Sequence, residues 1–148
     1  VIVAVIMRPL GGTLSDRLGA ATTLQLSYIA VAVSAAVLAF QPALMPIGTI
    51  VYIVMAAGLG LGSGAVFALV AQTSDPSVVG SVTGFVGAAG GLGGFVPPLI
   101  MAAIHADSGS YSFGIVLLLL ATLGAIVVTF FVARGARASA QEPRLASR

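Results

Sequence analysis

Arg8 poses the sharpest chemical question in this chain. It stands inside the apolar run VIVAVIMRPL and is followed directly by Pro9. Counted back from the polar stretch that follows, it lies about seven residues deep, roughly 10 Å along a helix at 1.5 Å per residue. In a bilayer, an arginine at that depth costs at least ~2.5 kcal/mol unless it is paired or faces a wet cavity. Asp16 is eight residues further on, about 12 Å along the same axis, too far for a direct pair. A guanidinium offers a rigid, planar fork of donors, which suits a flat, oxygen-bearing anion better than an ammonium does. The alternative use of such a residue is a side chain that snorkels to the nearer interface.

The second constellation is backbone. Gly80 to Pro98 reads GSVTGFVGAAGGLGGFVPP. Gly80, Gly84, Gly87, Gly91 and Gly94 are spaced four, three, four and three residues apart, so a helix places them in one stripe. The stripe extends roughly 21 Å, and Gly90 and Gly93 widen it into a flat surface. In water each glycine costs a helix about 1 kcal/mol relative to alanine. In lipid the helix forms regardless, because an unpaired amide there has no water to bind. A bare face of this kind lets either a neighbouring helix or a substrate come very close. Pro97 and Pro98 then predict an interruption of the backbone ladder, a feature of transport paths through membranes.

The remaining polar groups exclude several chemistries. There is no cysteine, so thiol catalysis, disulfides and thiolate metal sites are ruled out. Asp16, Asp75, Asp107 and Glu142 all fall in expected turns or the tail, leaving no carboxylate inside a span for a proton relay. That pattern leans toward anion exchange, or toward coupling through groups outside this chain. His105 falls at an expected membrane edge and reads as a loop residue. Ser, His and Asp converge nowhere as an enzyme would require; no enzymatic activity, cofactor or metal is expected.

The elements that must position Arg8 and the glycines follow from composition. Of the 148 residues, 59% are hydrophobic and 7% charged, against about 25% charged in a soluble domain. An integral membrane protein is expected, with spans at about 1–15 (partial), 22–40, 47–71, 80–104 and 113–133. Residues 134–148 read as a polar, disordered tail. The third span carries Gly58, Gly60, Gly62 and Gly64, two overlapping GxxxG pairs. Phe67 on the same span reads as helix packing or lipid contact. The segment from Gly11 to Ala20 reads as a tight polar turn. Residue 1 is a valine already inside an apolar run, which reads as a fragment whose N-terminal part is absent.

All six basic residues are arginines, and net charge is only +2, too little and too localised for a nucleic-acid partner. Arg17 and the tail arginines Arg134, Arg137, Arg144 and Arg148 fall on one side after four crossings. The opposite connections, 41–46 and 105–112, contain none. By the positive-inside rule the arginine side, with the C-terminus, faces the cytoplasm, as in a multi-pass protein of the cell's inner membrane. Tyr52 and Tyr111 then sit near the outer interface and Tyr28 near the inner one, as aromatic belts do.

Gly12, Asp16, Arg17 and Gly19 stand at the spacing of the GxxxDRxG loop that recurs in the major facilitator superfamily. MRPLGGTLSDRLG followed by SVTGFVGAAGGLGGFVPP resembles, more narrowly, the nitrate/nitrite porters of that superfamily. The resemblance covers the whole chain, as the end of helix 8 and helices 9 to 12. It implies an all-α membrane fold, part of the C-terminal six-helix half of a twelve-helix bundle. It further implies that Arg8 is one of two arginines clamping nitrate or nitrite, the other lying in the absent N-terminal half. Gly87 and Gly91 would border the anion, and Gly80, Gly84, Gly90 and Gly94 would line the path or pack a facing helix. Asp16 and its neighbours would belong to a cytoplasmic gate; the basic residue that usually follows the last glycine is replaced by Ala20 and Ala21.

Three readings follow. One is a nitrate or nitrite carrier working by alternating access, of which this chain alone is an inactive part. Another is a carrier for a different small anion or organic acid. The third is a membrane scaffold whose glycines only mediate helix association. Arg8 separates them, because a scaffold has no use for a charge inside the bundle.

Overall fold

The computed structural model describes residues 1–108 and 112–146. Tyr111 and Arg148, and the side chains of His105, Asp107, Arg134, Arg137, Glu142 and Arg144, lie outside the described residues. The described chain is helical, with α1 at Ile2–Leu18, α2 at Ala20–Ala39, α3 at Thr49–Thr73, α4 at Val79–Ser108 and α5 at Ser112–Ala146. Among the described residues, four stretches are long and apolar enough to cross a membrane: Ala20–Ala39, Leu44–Thr73, Val79–Ile100 and Phe113–Phe131.

The polar turn expected from Gly11 to Ala20 is a single residue. Helix α1 continues through Thr13, Ser15, Asp16 and Arg17 to Leu18, and α2 starts at Ala20. Gly19 makes the corner at φ 86°, ψ 140°, a conformation open to glycine and strained for other residues. Its amide donates to the Ser15 carbonyl at 3.0 Å, and its own carbonyl accepts from the Thr23 amide at 3.1 Å. Polar side chains at a membrane edge do not end a helix whose backbone stays paired.

Helix α3 is the hub, and its two glycine pairs serve different neighbours. A Cβ added at Gly60 would collide with the backbone of Ala4, and one at Gly64 with the backbones of Arg8 and Gly12. Gly11 on α1 is pressed in turn against the backbone of Leu61. One face of α3 is thus seated directly on α1, running parallel to it. The other face meets α2 in antiparallel register. At Gly58 a Cβ would stand 3.1 Å from Val31 Cγ2, and at Gly62 3.3 Å from Ser27 Cβ. Without a hydrophobic force between helices in lipid, such close packing is what holds them together.

The polar groups buried in this core are satisfied locally. Ser15 donates to the Gly11 carbonyl at 2.7 Å, Ser27 to Thr23 at 2.9 Å and Ser34 to Ala30 at 2.8 Å. Each bond returns to the preceding turn of its own helix, so the hydroxyl needs no partner from lipid.

Between α3 and α4 the chain turns at Asp75. Its carboxylate accepts from the Ser77 hydroxyl at 2.6 Å and the Ser77 amide at 2.9 Å. These two bonds, the hydroxyl's first, hold the Asp75 carboxyl below the usual aspartate range. Helix α4 then runs through Pro97 and Pro98 to Ser108 without the expected interruption, as membrane helices can when freed carbonyls find other partners. Helix α5 continues to Ala146, through the stretch expected to be a disordered tail from Arg134. That stretch is rich in alanine and arginine, both strong helix formers.

Candidate anion site

Arg8 and the glycine helix border one cavity. A cavity of about 600 Å³ is lined by Arg8 from α1, by Ser63, Val66 and Phe67 from α3, and by Val86, Gly87, Gly90 and Gly91 from α4. Arg8 is exposed to this space. Among the described residues its guanidinium makes no ion pair and no hydrogen bond. Its backbone, by contrast, is fixed: the Arg8 carbonyl lies on Gly64, one residue along α3 from Ser63. Gly60, Ser63, Gly64 and Phe67 share one face of α3 at helical spacing. The glycines of that face seat α1, and the two larger residues border the space left beside it.

Apart from Val86, the cavity's far wall is bare backbone. A Cβ added at Gly87, Gly90 or Gly91 would meet nothing within 4 Å, and the same holds for Gly80, Gly84, Gly93 and Gly94. Among the described residues, none in the span Val79–Ile100 is buried. The contrast with α3 is sharp: its paired glycines are filled by neighbouring helices, whereas the glycine surface of α4 faces open space within this chain.

Gly80, Gly84 and Gly94 do not line the cavity, although they belong to the same stripe. Asp16 and Arg17 lie on the surface at the end of α1. Among the described residues neither forms an ion pair, and no side chain caps the start of α2. Gly12 is near the Gly64 contact, and Gly19 forms the corner described above.

Sequence reasoning missed four lining residues. Phe67 was expected to pack against helices or lipid but borders the cavity, because α3 turns its Gly60–Gly64 face toward α1. Ser63, Val66 and Val86 carried no expectation. The available signal was spacing: Ser63 and Phe67 fall three residues after Gly60 and Gly64 respectively.

The sequence profile of the Major Facilitator Superfamily matches residues 1–147. The chain belongs to this superfamily. The superfamily consists of membrane carriers and not enzymes, and the four long apolar helices accord with a multi-pass, all-α member. Among individual superfamily relatives, "Probable nitrate/nitrite transporter NarK2" of Mycobacterium tuberculosis is 41% identical over 134 residues. That alignment covers 90% of this chain and 34% of the relative. The "Nitrite extrusion protein" of Bacillus subtilis is 32% identical over 132 residues, 89% of this chain and 33% of the relative. "Probable nitrate transporter NarT" of Staphylococcus carnosus is 30% identical over 142 residues, 95% of this chain and 36% of the relative. This facilitator chain therefore spans about a third of the length of the curated relatives it matches, and the resemblance to nitrate/nitrite porters extends along nearly all of it.

Proposed function

We propose that this chain forms part of the C-terminal half of a nitrate or nitrite carrier that works by alternating access, with the Arg8 cavity as its anion site. The observation that carries the reading is the convergence of Arg8 and Gly87, Gly90 and Gly91 on one cavity from helices α1 and α4. A cationic fork facing a wall rich in bare backbone suits a small planar anion. A charge without a counter-charge in the empty state also favours reloading of the site.

In this reading a second arginine and the opposite wall come from an N-terminal half, against which the open glycine face of α4 closes. Gly80, Gly84 and Gly94 extend that closing face along the path. Gly12, Asp16, Arg17 and Gly19 sit at the gate on the cytoplasmic side of the inner membrane, where the C-terminus also lies. With no carboxylate in the spans of this chain, the favoured modes are anion exchange and coupling through groups outside this chain.

The test is nitrate and nitrite flux in proteoliposomes carrying the full-length protein. Arg8→Ala is expected to be inactive. Arg8→Lys keeps the charge but loses the two-pronged geometry, and is expected to fall at least tenfold. Near-normal flux in Arg8→Ala would make Arg8 a snorkelling residue and move the anion site elsewhere.

A further inference from the structure

We infer that Ser63 donates a hydrogen bond to the anion beside Arg8 and favours nitrate over nitrite; the inference rests on the reading of this cavity as the anion site. Several hydroxyls inside the helices turn back on their own backbone, while among the described residues Thr22, Ser63, Ser81, Thr83 and Thr129 make no hydrogen bond; of these, Ser63 is the one that lines the cavity with Arg8. Ser15, Thr23, Ser27, Ser34 and Thr122 each donate to the carbonyl four residues earlier, at 2.7 to 3.1 Å. Ser63 also has a carbonyl four residues earlier, at Leu59, yet among the described residues its hydroxyl makes no hydrogen bond. It is half-buried, and it lines the cavity with Arg8. A hydroxyl in lipid without a partner is costly, so its donor is available to whatever occupies that space.

Ser63 also borders a smaller cavity of about 200 Å³ toward α2, with Ser27, Tyr28, Val31, Gly58 and Leu59 among its lining. That side offers little to an anion. The Ser27 hydroxyl is already donated to Thr23, and the remainder, apart from the Tyr28 hydroxyl, is aliphatic or glycine. The charged group lies on the other side.

Position is fixed by backbone. Gly64, the next residue, is packed onto the carbonyl of Arg8 itself, so Ser63 cannot drift from the arginine without breaking the α1–α3 seat. The selectivity follows from counting acceptors. A guanidinium fork engages two oxygens in parallel. Nitrite has two oxygens and nitrate three, so between Arg8 and the second arginine of the proposed site nitrate still presents one acceptor oxygen more than nitrite, open to a further donor. Serine supplies one O–H. A site that hydrogen-bonds a substrate group discriminates against the analogue that lacks it.

The test uses the full-length carrier in proteoliposomes, measuring half-saturation and maximal flux for each anion. Ser63→Ala is expected to raise nitrate half-saturation about tenfold, as for loss of one bond to a charged group. Nitrite half-saturation should stay within about twofold, with maximal flux for both kept. Ser63→Thr, which keeps the hydroxyl, should restore most of the nitrate affinity. Unchanged nitrate half-saturation in Ser63→Ala, or an equal rise for both anions, would overturn the proposal. Arg8→Ala is run in parallel: if it is inactive while Ser63→Ala is unchanged, only the Ser63 assignment falls. If Arg8→Ala transports normally, the site reading fails and the Ser63 assignment falls with it.

Discussion

Arg8 is held by its backbone and left free at its guanidinium, and the residue that holds it is a glycine on another helix. The missing Cβ of Gly64 is the space that the Arg8 carbonyl fills. A methyl group there would have to displace α1, and a misplacement of about 1 Å in a binding group can cost 100-fold in rate. Gly64→Ala is therefore expected to lower flux at least tenfold in the full-length carrier. Gly62→Ala, two residues away, would place its Cβ 3.3 Å from the Ser27 Cβ and is expected to lose no more than threefold. The check is initial flux normalised to inserted protein; equal effects would mean that Gly64 positions nothing in particular. This relation was not legible in the sequence. Arg8 stood out because a charge in an apolar run is conspicuous, but nothing in the one-dimensional pattern joins it to a glycine 56 positions later. Ser63 was overlooked for the same reason: a lone serine between two glycines looks like helix packing until its neighbours across the fold are known.

At the scale of helices, glycine periodicity has two opposite outcomes in one chain. On α3 the pairs are consumed by α1 and α2, while on α4 the same kind of stripe borders a cavity and stays uncovered. Spacing announced a close approach in both cases and could not say by what, since that depends on which helices are present to fill it. The helices themselves were readable, because apolar length and the polar breaks between runs are properties of the chain alone. The corner at Gly19 was not, because polar residues at a membrane edge look the same in a loop and in a helix end. Gly91→Leu is expected to abolish transport while the protein still inserts, since the side chain would enter the cavity or hold away the helix that closes on it. Gly124→Leu is the control: its surroundings within α5 are equally open, and it does not line the Arg8 cavity. Near-normal uptake by the Gly91→Leu protein would mean that this face meets only lipid.

For the molecule as a whole, helices of alternating sense put the Gly19 corner and the 74–78 connection at one end, and the 40–43 connection at the other. Arg17 marks the first end. With the positive-inside rule, a cysteine at Val78→Cys in the full-length carrier is expected to react with an impermeant reagent only from the cytoplasmic side. One at Ala43→Cys is expected to react only from outside. Labelling of both from the same side would refute the orientation. The superfamily was legible from two motifs together, because a polar loop at one membrane edge and a glycine run two helices later constrain the order of elements as well as their composition.

The seat between α1 and α3 also imposes a sequence of events on synthesis. Gly11 rests on Leu61, a residue that leaves the ribosome about 50 positions later, a few seconds at ~5–20 residues per second. Until then the helix bearing Arg8 has been made and its berth has not. During that interval the charge must be sheltered by the insertion machinery or by helices made earlier, and α1 docks only once α3 arrives.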